Sequence, residues 1–375
     1  MFGTVLAILG TVFGLPATRA RLQVNLAQQG TLFLMLYLGI FAASLVVGPL
    51  IDHLGYKVNL LVSSLVVALA MASLAGAHSF AAATAAAILL GLGGGGLNTC
   101  TNVLVSDLYG AQRGPMLNLL GIFFGVGALS VPLLAASIEG YFTIPQMFLF
   151  CAILTGACAV WYAVISFPPA KTTQSFSWRE LLDIVKYEGV LLLAFILFFE
   201  SGNEACIGGW TSTYVDAGGY SPRIATLVLA AYWAALMLGR TLAARLVRGI
   251  GKSQVVVATA LLSLGGCATL LSARSLGFLF AGTALIGLSY GPIFPTALAI
   301  AGDRYWQRAG TVFGLLFSIA LIGGMVLPST VGQVSQRVSV RAGMIVPALG
   351  AVGIVVLSLA VFFGERKSVT LPRVG

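Results

Sequence analysis

Two carboxylates stand one helical turn apart in a stretch that otherwise reads as soluble in hydrocarbon. Glu200 and Glu204 lie in FFESGNEACIGGW, residues 198–210, with Asn203 between them and Thr211 and Tyr214 just beyond. At 100° per residue these groups, with Trp210, share a stripe about 120° wide, the pattern of a helix with one side lining a cavity. An ionised side chain at the centre of a bilayer costs roughly 2.5–3.5 kcal/mol. Two carboxylates this close cannot both stay charged without a cation, so one is expected to hold a proton. A carboxyl that is neutral when shut away and ionised when wetted can couple the movement of an ion to that of a solute. The expected ion-coupling residues are therefore Glu200 and Glu204, with H+ or Na+ as the ion and no other cofactor. The competing reading locks both to Arg across a helix interface. It suffers from supply, since Arg240 sits toward the end of its own apolar run.

Other polar and aromatic residues fall on faces that could meet a solute. Asn98 and Asn102 share a side of one run with Gly91 and Gly95, and Asn118 shares a side of the next with Gly121, Gly125 and Pro132. Amides both donate and accept, which suits hydroxyl groups. SYGPIFPT, residues 289–296, carries two prolines and so a kink that places Tyr290 near mid-membrane. Trp210, Trp233, Tyr232 and Tyr37 offer ring faces. The expected solute contacts are Asn98, Asn118, Asn203, Glu204, Trp210, Tyr214, Trp233 and Tyr290. The two histidines lie far apart and the five cysteines form no CxxC, so no metal site is expected, and no nucleophile–base pair suggests an enzyme.

The elements that must position these residues are apolar helices. Of 375 residues, 59% are hydrophobic and 8% charged, against about 25% charged in a soluble domain. Twelve runs are long enough to span hydrocarbon, near residues 1–16, 30–51, 58–77, 80–104, 115–138, 143–167, 190–214, 222–246, 254–272, 276–300, 310–333 and 342–363. A cleaved leader at the start is disfavoured by its lack of a basic segment. With both termini cytoplasmic, fourteen of the twenty Lys and Arg fall on the inner side, the bias that sets orientation in a plasma (inner) membrane. That bias accounts for the net charge of +9 without a nucleic-acid partner. The expected partners are the lipid bilayer and a small-molecule solute, with the chain a monomer.

A shift of 196 residues pairs Gly91 with Gly287, Gly95 with Gly291, Asp107 with Asp303, Tyr109 with Tyr305 and Pro132 with Pro328. The chain therefore reads as six helices plus six: an N-terminal bundle over 1–167, a cytoplasmic linker over 168–189 and a C-terminal bundle over 190–375. Within the linker, Ser177 and Glu180 form a capping-box pair for a short surface helix.

The loop GPLIDHLGYK, residues 48–57, resembles the signature between spans two and three of the major facilitator superfamily, and the duplicated twelve-span layout resembles it over the whole chain. The resemblance implies an all-α transporter working by alternating access. Physically, Gly48 would let helices approach, Gly55 would permit a sharp turn, and Asp52 and Lys57 would supply charge. By resemblance Asp52 holds the cytoplasmic side shut. In GRTLAARLVRGIGK, residues 239–252, Gly239 and Arg240 match that signature while Ala243 stands where Asp is expected. The expected gating set is Asp52, Lys57, Asp107, Arg113, Arg240, Asp303 and Arg304.

A narrower likeness, over residues 113–134 and 198–214, is to the fucose/glucose/galactose–cation symporter group. It implies that Asn118 bonds sugar hydroxyls and that Glu204 binds sugar or joins coupling. The fourth span departs from that group, offering Asn98 and Asn102 where the fucose branch has an acid. The expected function is uptake of a small polar solute, a sugar above others, with protons or sodium. The alternatives are an exporter of amphipathic compounds and a transporter-like sensor without flux.

Overall fold

The computed structural model describes residues 1–110, 113–138, 141–169 and 183–370. Helix dominates and no strand occurs among the described residues. In chain order the helices are α1 (Phe2–Val12), α2 (Pro16–Leu22), α3 (Leu26–Gly76), α4 (Phe80–Tyr109), α5 (Arg113–Ile138) and α6 (Ile144–Val164). They continue with α7 (Glu188–Ala217), α8 (Pro222–Ile250), α9 (Lys252–Leu271), α10 (Leu276–Arg304), α11 (Ala309–Arg337), α12 (Val340–Gly343) and α13 (Ile345–Thr370). The surface helix expected around Ser177 and Glu180 lies outside the described residues.

Among the described residues, ten helical stretches are long and apolar enough to cross a membrane, or eleven if the α1–α2 pair, bent by 87°, is one span. The number expected from sequence is reached because the 51-residue α3 contains two spans. Asn25 starts it, its side chain accepting from the Gln28 amide while the Gln28 side chain accepts from the Asn25 amide, the reciprocal cap that satisfies two otherwise orphaned donors. Gly55 divides it, with φ of 74°, a left-handed conformation that a side chain disfavours. The first span is shorter than expected: helix stops after Val12, Pro16 opens α2, and Gln23 at φ 53° ends it.

The duplication is physical. Gly91 packs on the Leu36 carbonyl and Gly39, while Gly287 packs on the Tyr232 carbonyl and Ala235; the 196-residue shift relates each partner to its counterpart. The same shift relates Gly55 to Gly251, where φ is again positive at 89°. It therefore equates Asp52 with Arg248, which corrects the expected match of Asp52 to Ala243. Gly48 also differs from expectation, since nothing lies within 4 Å of where its Cβ would be. No described residue packs against it at that distance.

The chain forms two compact units. The first comprises Met1–Gln174, Gly208–Ala230 and Pro328–Gly343, and the second Ser175–Ile207, Ala231–Leu327 and Met344–Gly375. Both α7 and α11 pass from the second unit to the first within their length, at Gly208 and Pro328.

Candidate functional site

The second unit gathers the charged part of the expected site. Gly239 sits on the Leu288 carbonyl and Gly291 on the Leu236 carbonyl and the Arg240 amide, so α8 and α10 approach at backbone distance. On α10 that brings Tyr290 in, fully buried, between a tight glycine contact and Pro292. Asn203 of α7 donates through Nδ2 to the Tyr290 hydroxyl at 3.0 Å and to the Pro347 carbonyl at 3.0 Å. Gly350 of α13 leaves the room, since a Cβ there would overlap the Asn203 amide.

Glu204 faces Arg240. The guanidinium Nη2 lies 3.4 Å from Glu204 Oε2, with the two side chains 18% and 14% exposed. The sequence favoured the reading in which Glu204 lacks an Arg partner, and here the structure corrects it. Arg240 starts near the end of its run, but its three-methylene stem carries the charged head about a helical turn away from its Cα. Glu200, one turn back, is in the opposite situation. It is fully buried, and neither carboxyl oxygen has a hydrogen-bond partner among the described residues. Its charged neighbours are Glu204 and Arg240. Two more buried oxygens in the set lack partners there, the Tyr232 hydroxyl and Asn203 Oδ1; Tyr232 lies within electrostatic reach of Glu200, Glu204, Tyr290 and Arg240. Trp233 is buried edge-on to Tyr232, with ring centroids 5.0 Å apart.

Along the α7 stripe burial is uneven, with Glu204 and Tyr214 keeping some exposure. Glu200, Asn203, Trp210 and Thr211 are all at 0% exposure. Trp210 belongs to the first unit, where its indole N–H donates to the Pro328 carbonyl at 3.1 Å and its ring packs against Phe33. Its one donor is used inside the protein. Tyr214, half-buried, is in the same unit within electrostatic reach of Arg341. Asn98 is there too, accepting from the Asn102 amide at 3.1 Å. The side chains of Asn118 and Arg113, on α5, lie outside the described set.

Two of the expected gating residues, Asp107 and Asp303, take part in one pattern that occurs twice. Tyr56, next to Gly55, donates to Asp107, and Lys252, next to Gly251, pairs with Asp303. Each bond ties the turn between two spans to the end of the following helix, α4 or α10. Tyr56 and Lys252 were missed in the sequence, although the 196-residue shift relates them to each other as it relates Asp107 to Asp303. Arg304 reaches over Gly189 beside Tyr305. Asp52 and Lys57 are exposed.

Comparison with known proteins agrees with this architecture. The profile of the Major Facilitator Superfamily matches residues 1–254. An uncharacterised MFS-type transporter of Yersinia pestis is 24% identical over 172 residues, covering 46% of this chain and 44% of that protein. The match thus spans less than half of that relative. YfkL of Bacillus subtilis, an uncharacterised MFS-type transporter, is 21% identical over 308 residues, covering 77% of this chain and 75% of its own. Among solved structures, a bacterial homologue of the human lysosomal transporter Spinster superimposes with a TM-score of 0.79 at 13% identity, over 97% of this chain and 95% of that one.

Proposed function

The chain belongs to the major facilitator superfamily, and on that premise we propose that it is a secondary transporter of a small polar solute, coupled to a proton or sodium ion through the buried carboxyls of α7. Alternating access would expose the solute to each face in turn. Both termini would be cytoplasmic in a plasma (inner) membrane, following the bias of basic residues.

One observation carries the coupling reading: Glu200 is fully buried with no hydrogen-bond partner on either carboxyl oxygen among the described residues, while the nearby Arg240 is engaged by Glu204. A carboxylate so placed would be a poorly compensated charge, whereas the neutral acid fits. Charge on Glu200 would therefore appear with hydration or a bound cation and vanish on closure, which is what a coupling site must do. The weight that the sequence spread over two carboxyls shifts to Glu200, with Glu204 holding Arg240.

A sugar remains the preferred solute, since the amides of Asn98 and Asn118 and the rings of Trp233 and Tyr290 suit hydroxyls and C–H faces. A solute bearing a carboxylate is the second reading, favoured by Arg240 within the same buried set. Purified protein is screened by thermal shift against sugars, nucleosides and organic acids, and the stabilising solute is used for flux in proteoliposomes. Glu200→Gln is expected to abolish uphill uptake driven by a proton or sodium gradient while leaving solute exchange. Undiminished uphill uptake by this variant would overturn the assignment. Arg240→Lys separates the solutes: a tenfold or greater loss of affinity supports a carboxylate, and a small change supports a sugar.

A further inference from the structure

Buried hydroxyls on the helices of this chain commonly bond to their own backbone. Ser64, Thr259, Ser263, Thr283 and Ser289 each donate to a carbonyl three or four residues earlier, the local bond that lets a hydroxyl sit in an apolar span. Thr11 of α1 and Ser212 of α7 do not. Both are at 0% exposure, and neither oxygen has a hydrogen-bond partner among the described residues. Gln29 of α3, also at 0%, donates through Nε2 to Thr213 Oγ1 at 3.0 Å, while its Oε1 is left in the same condition.

These three oxygens belong to one place in the first unit. Gly10 lies on the Gly208 carbonyl, and a Cβ at Gly14 would meet Ser212 Cβ at 2.5 Å and the Thr213 amide at 3.3 Å. Thr11 lies between those two glycines in sequence, and Gln29 reaches the same turn of α7 through Thr213. For Ser212 the cause of the missing bond is visible: the carbonyl four residues earlier is that of Gly208, which Gly10 covers. The first span is broken beside them. α1 ends at Val12 and α2 leaves at 87°, so the last carbonyls of α1 lack the amides that a continuing helix would bring. The amides of Phe13 and Leu15 close on the Leu9 and Val12 carbonyls; Gly10 and Thr11 come between. That end also carries the partial negative charge of the helix dipole. The charged pair nearby, Arg19 with Asp216 at 3.2 Å, adds no net charge.

We propose that this is a binding site for an alkali-metal cation. Thr11 Oγ1, Gln29 Oε1 and Ser212 Oγ are its side-chain ligands, and the carbonyl end of α1 completes it. Hard cations take oxygen ligands, and the C-terminal ends of interrupted helices serve such ions within membranes. A set without a carboxylate suits a single positive charge, because affinity for a divalent ion rests on the charge of its ligands. Oxygens that share one ion stand further apart than a hydrogen bond, which agrees with the absence of any bond among these three. The site is separate from Glu200, which belongs to the second unit, and it does not depend on what Glu200 couples.

The test reads cation dependence rather than stability alone. Thermal midpoints of the full chain in detergent are taken at fixed pH and ionic strength, with sodium replaced stepwise by choline. Sodium is expected to raise the midpoint saturably, as a ligand of the folded state must. Gln29→Met and Ser212→Ala are each expected to raise the half-saturating sodium concentration roughly tenfold, the loss of one ligand to a charged partner. Thr11→Val should do the same, whereas Thr11→Ser keeps the oxygen and should keep the response. Retention of radioactive sodium by the purified protein gives the same comparison for a variant that melts poorly. The series is repeated on Glu200→Gln, so that an ion at that carboxyl cannot supply the shift. A sodium response lost there would overturn the proposal while leaving the coupling reading intact. So would equal midpoints in sodium and choline, the result if water alone makes these bonds, or an unchanged half-saturation in both Gln29→Met and Ser212→Ala.

Discussion

At the scale of single residues, the Glu204–Arg240 pair and the Asn203 amide make separable demands on stability. Removing one member of a partly buried ion pair leaves the other charge poorly compensated, which is worse than removing both. Glu204→Gln is therefore expected to lower unfolding stability by roughly 1–3 kcal/mol, less than for a fully buried pair because both side chains keep some exposure. Glu204→Gln with Arg240→Gln should recover part of that loss, as read from unfolding midpoints in detergent. If the double variant is no better than the single, Arg240 is compensated mainly from elsewhere. Asn203→Ala strands the Pro347 carbonyl and the Tyr290 hydroxyl together. A loss of roughly 1–3 kcal/mol is expected, the range for a buried group deprived of its partner.

Between elements, glycine substitutions that look alike in the sequence should behave differently. A Cβ at Gly91 would overlap the Leu36 carbonyl, and one at Gly287 the Tyr232 carbonyl. In both cases the obstacle is backbone, so the helices must part, and Gly91→Ala and Gly287→Ala should each cost roughly 1–3 kcal/mol or more. Gly48→Ala meets nothing within 4 Å. It should be neutral or stabilising by up to about 1 kcal/mol, because alanine is the better helix former. Thermal midpoints of the three variants in one detergent suffice. A Gly48→Ala protein as damaged as Gly91→Ala would mean that α3 has a neighbour there which the packing does not include. Gly55→Ala is a third case, strained by its φ of 74° though the surrounding space is open.

For the whole molecule, the arrangement of charge predicts orientation. Lys57, Arg240, Lys252 and Arg304 fall at the ends assigned to the cytoplasm, while Arg19, Arg274 and Arg337 fall at the opposite ends. Single cysteines replacing Lys252 and Arg274 in a cysteine-free chain should react with an impermeant reagent from opposite faces, with Lys252→Cys reacting from the cytoplasmic one. Reaction of both from one face would break the alternation of spans; a clean reversal would mean that the excess of basic residues does not set topology in this chain.

The sequence by itself determined the helical class, the number of spans and the duplication, and it located the turn at Gly55. Those follow from run length, composition and a fixed 196-residue spacing, properties a chain carries before it folds. It also placed Glu200, Asn203 and Glu204 on one side of one helix, because periodicity says which residues share a face. What that face meets was decided only by tertiary structure. Asn203 Nδ2 is satisfied by groups 87 and 144 positions away, Glu204 by an Arg assigned to a helix end, and Trp210 by a carbonyl of α11, while Asn203 Oδ1 and Glu200 are left without a hydrogen-bond partner among the described residues. Partners depend on how each helix is rotated about its axis and how closely its neighbours approach. Here that approach is set by backbone contacts at Gly239 and Gly291 and by the room Gly350 leaves for the Asn203 amide. In a chain with 46 glycines, the residues that govern closest approach cannot be told in advance from those, like Gly48, that meet no described atom within 4 Å.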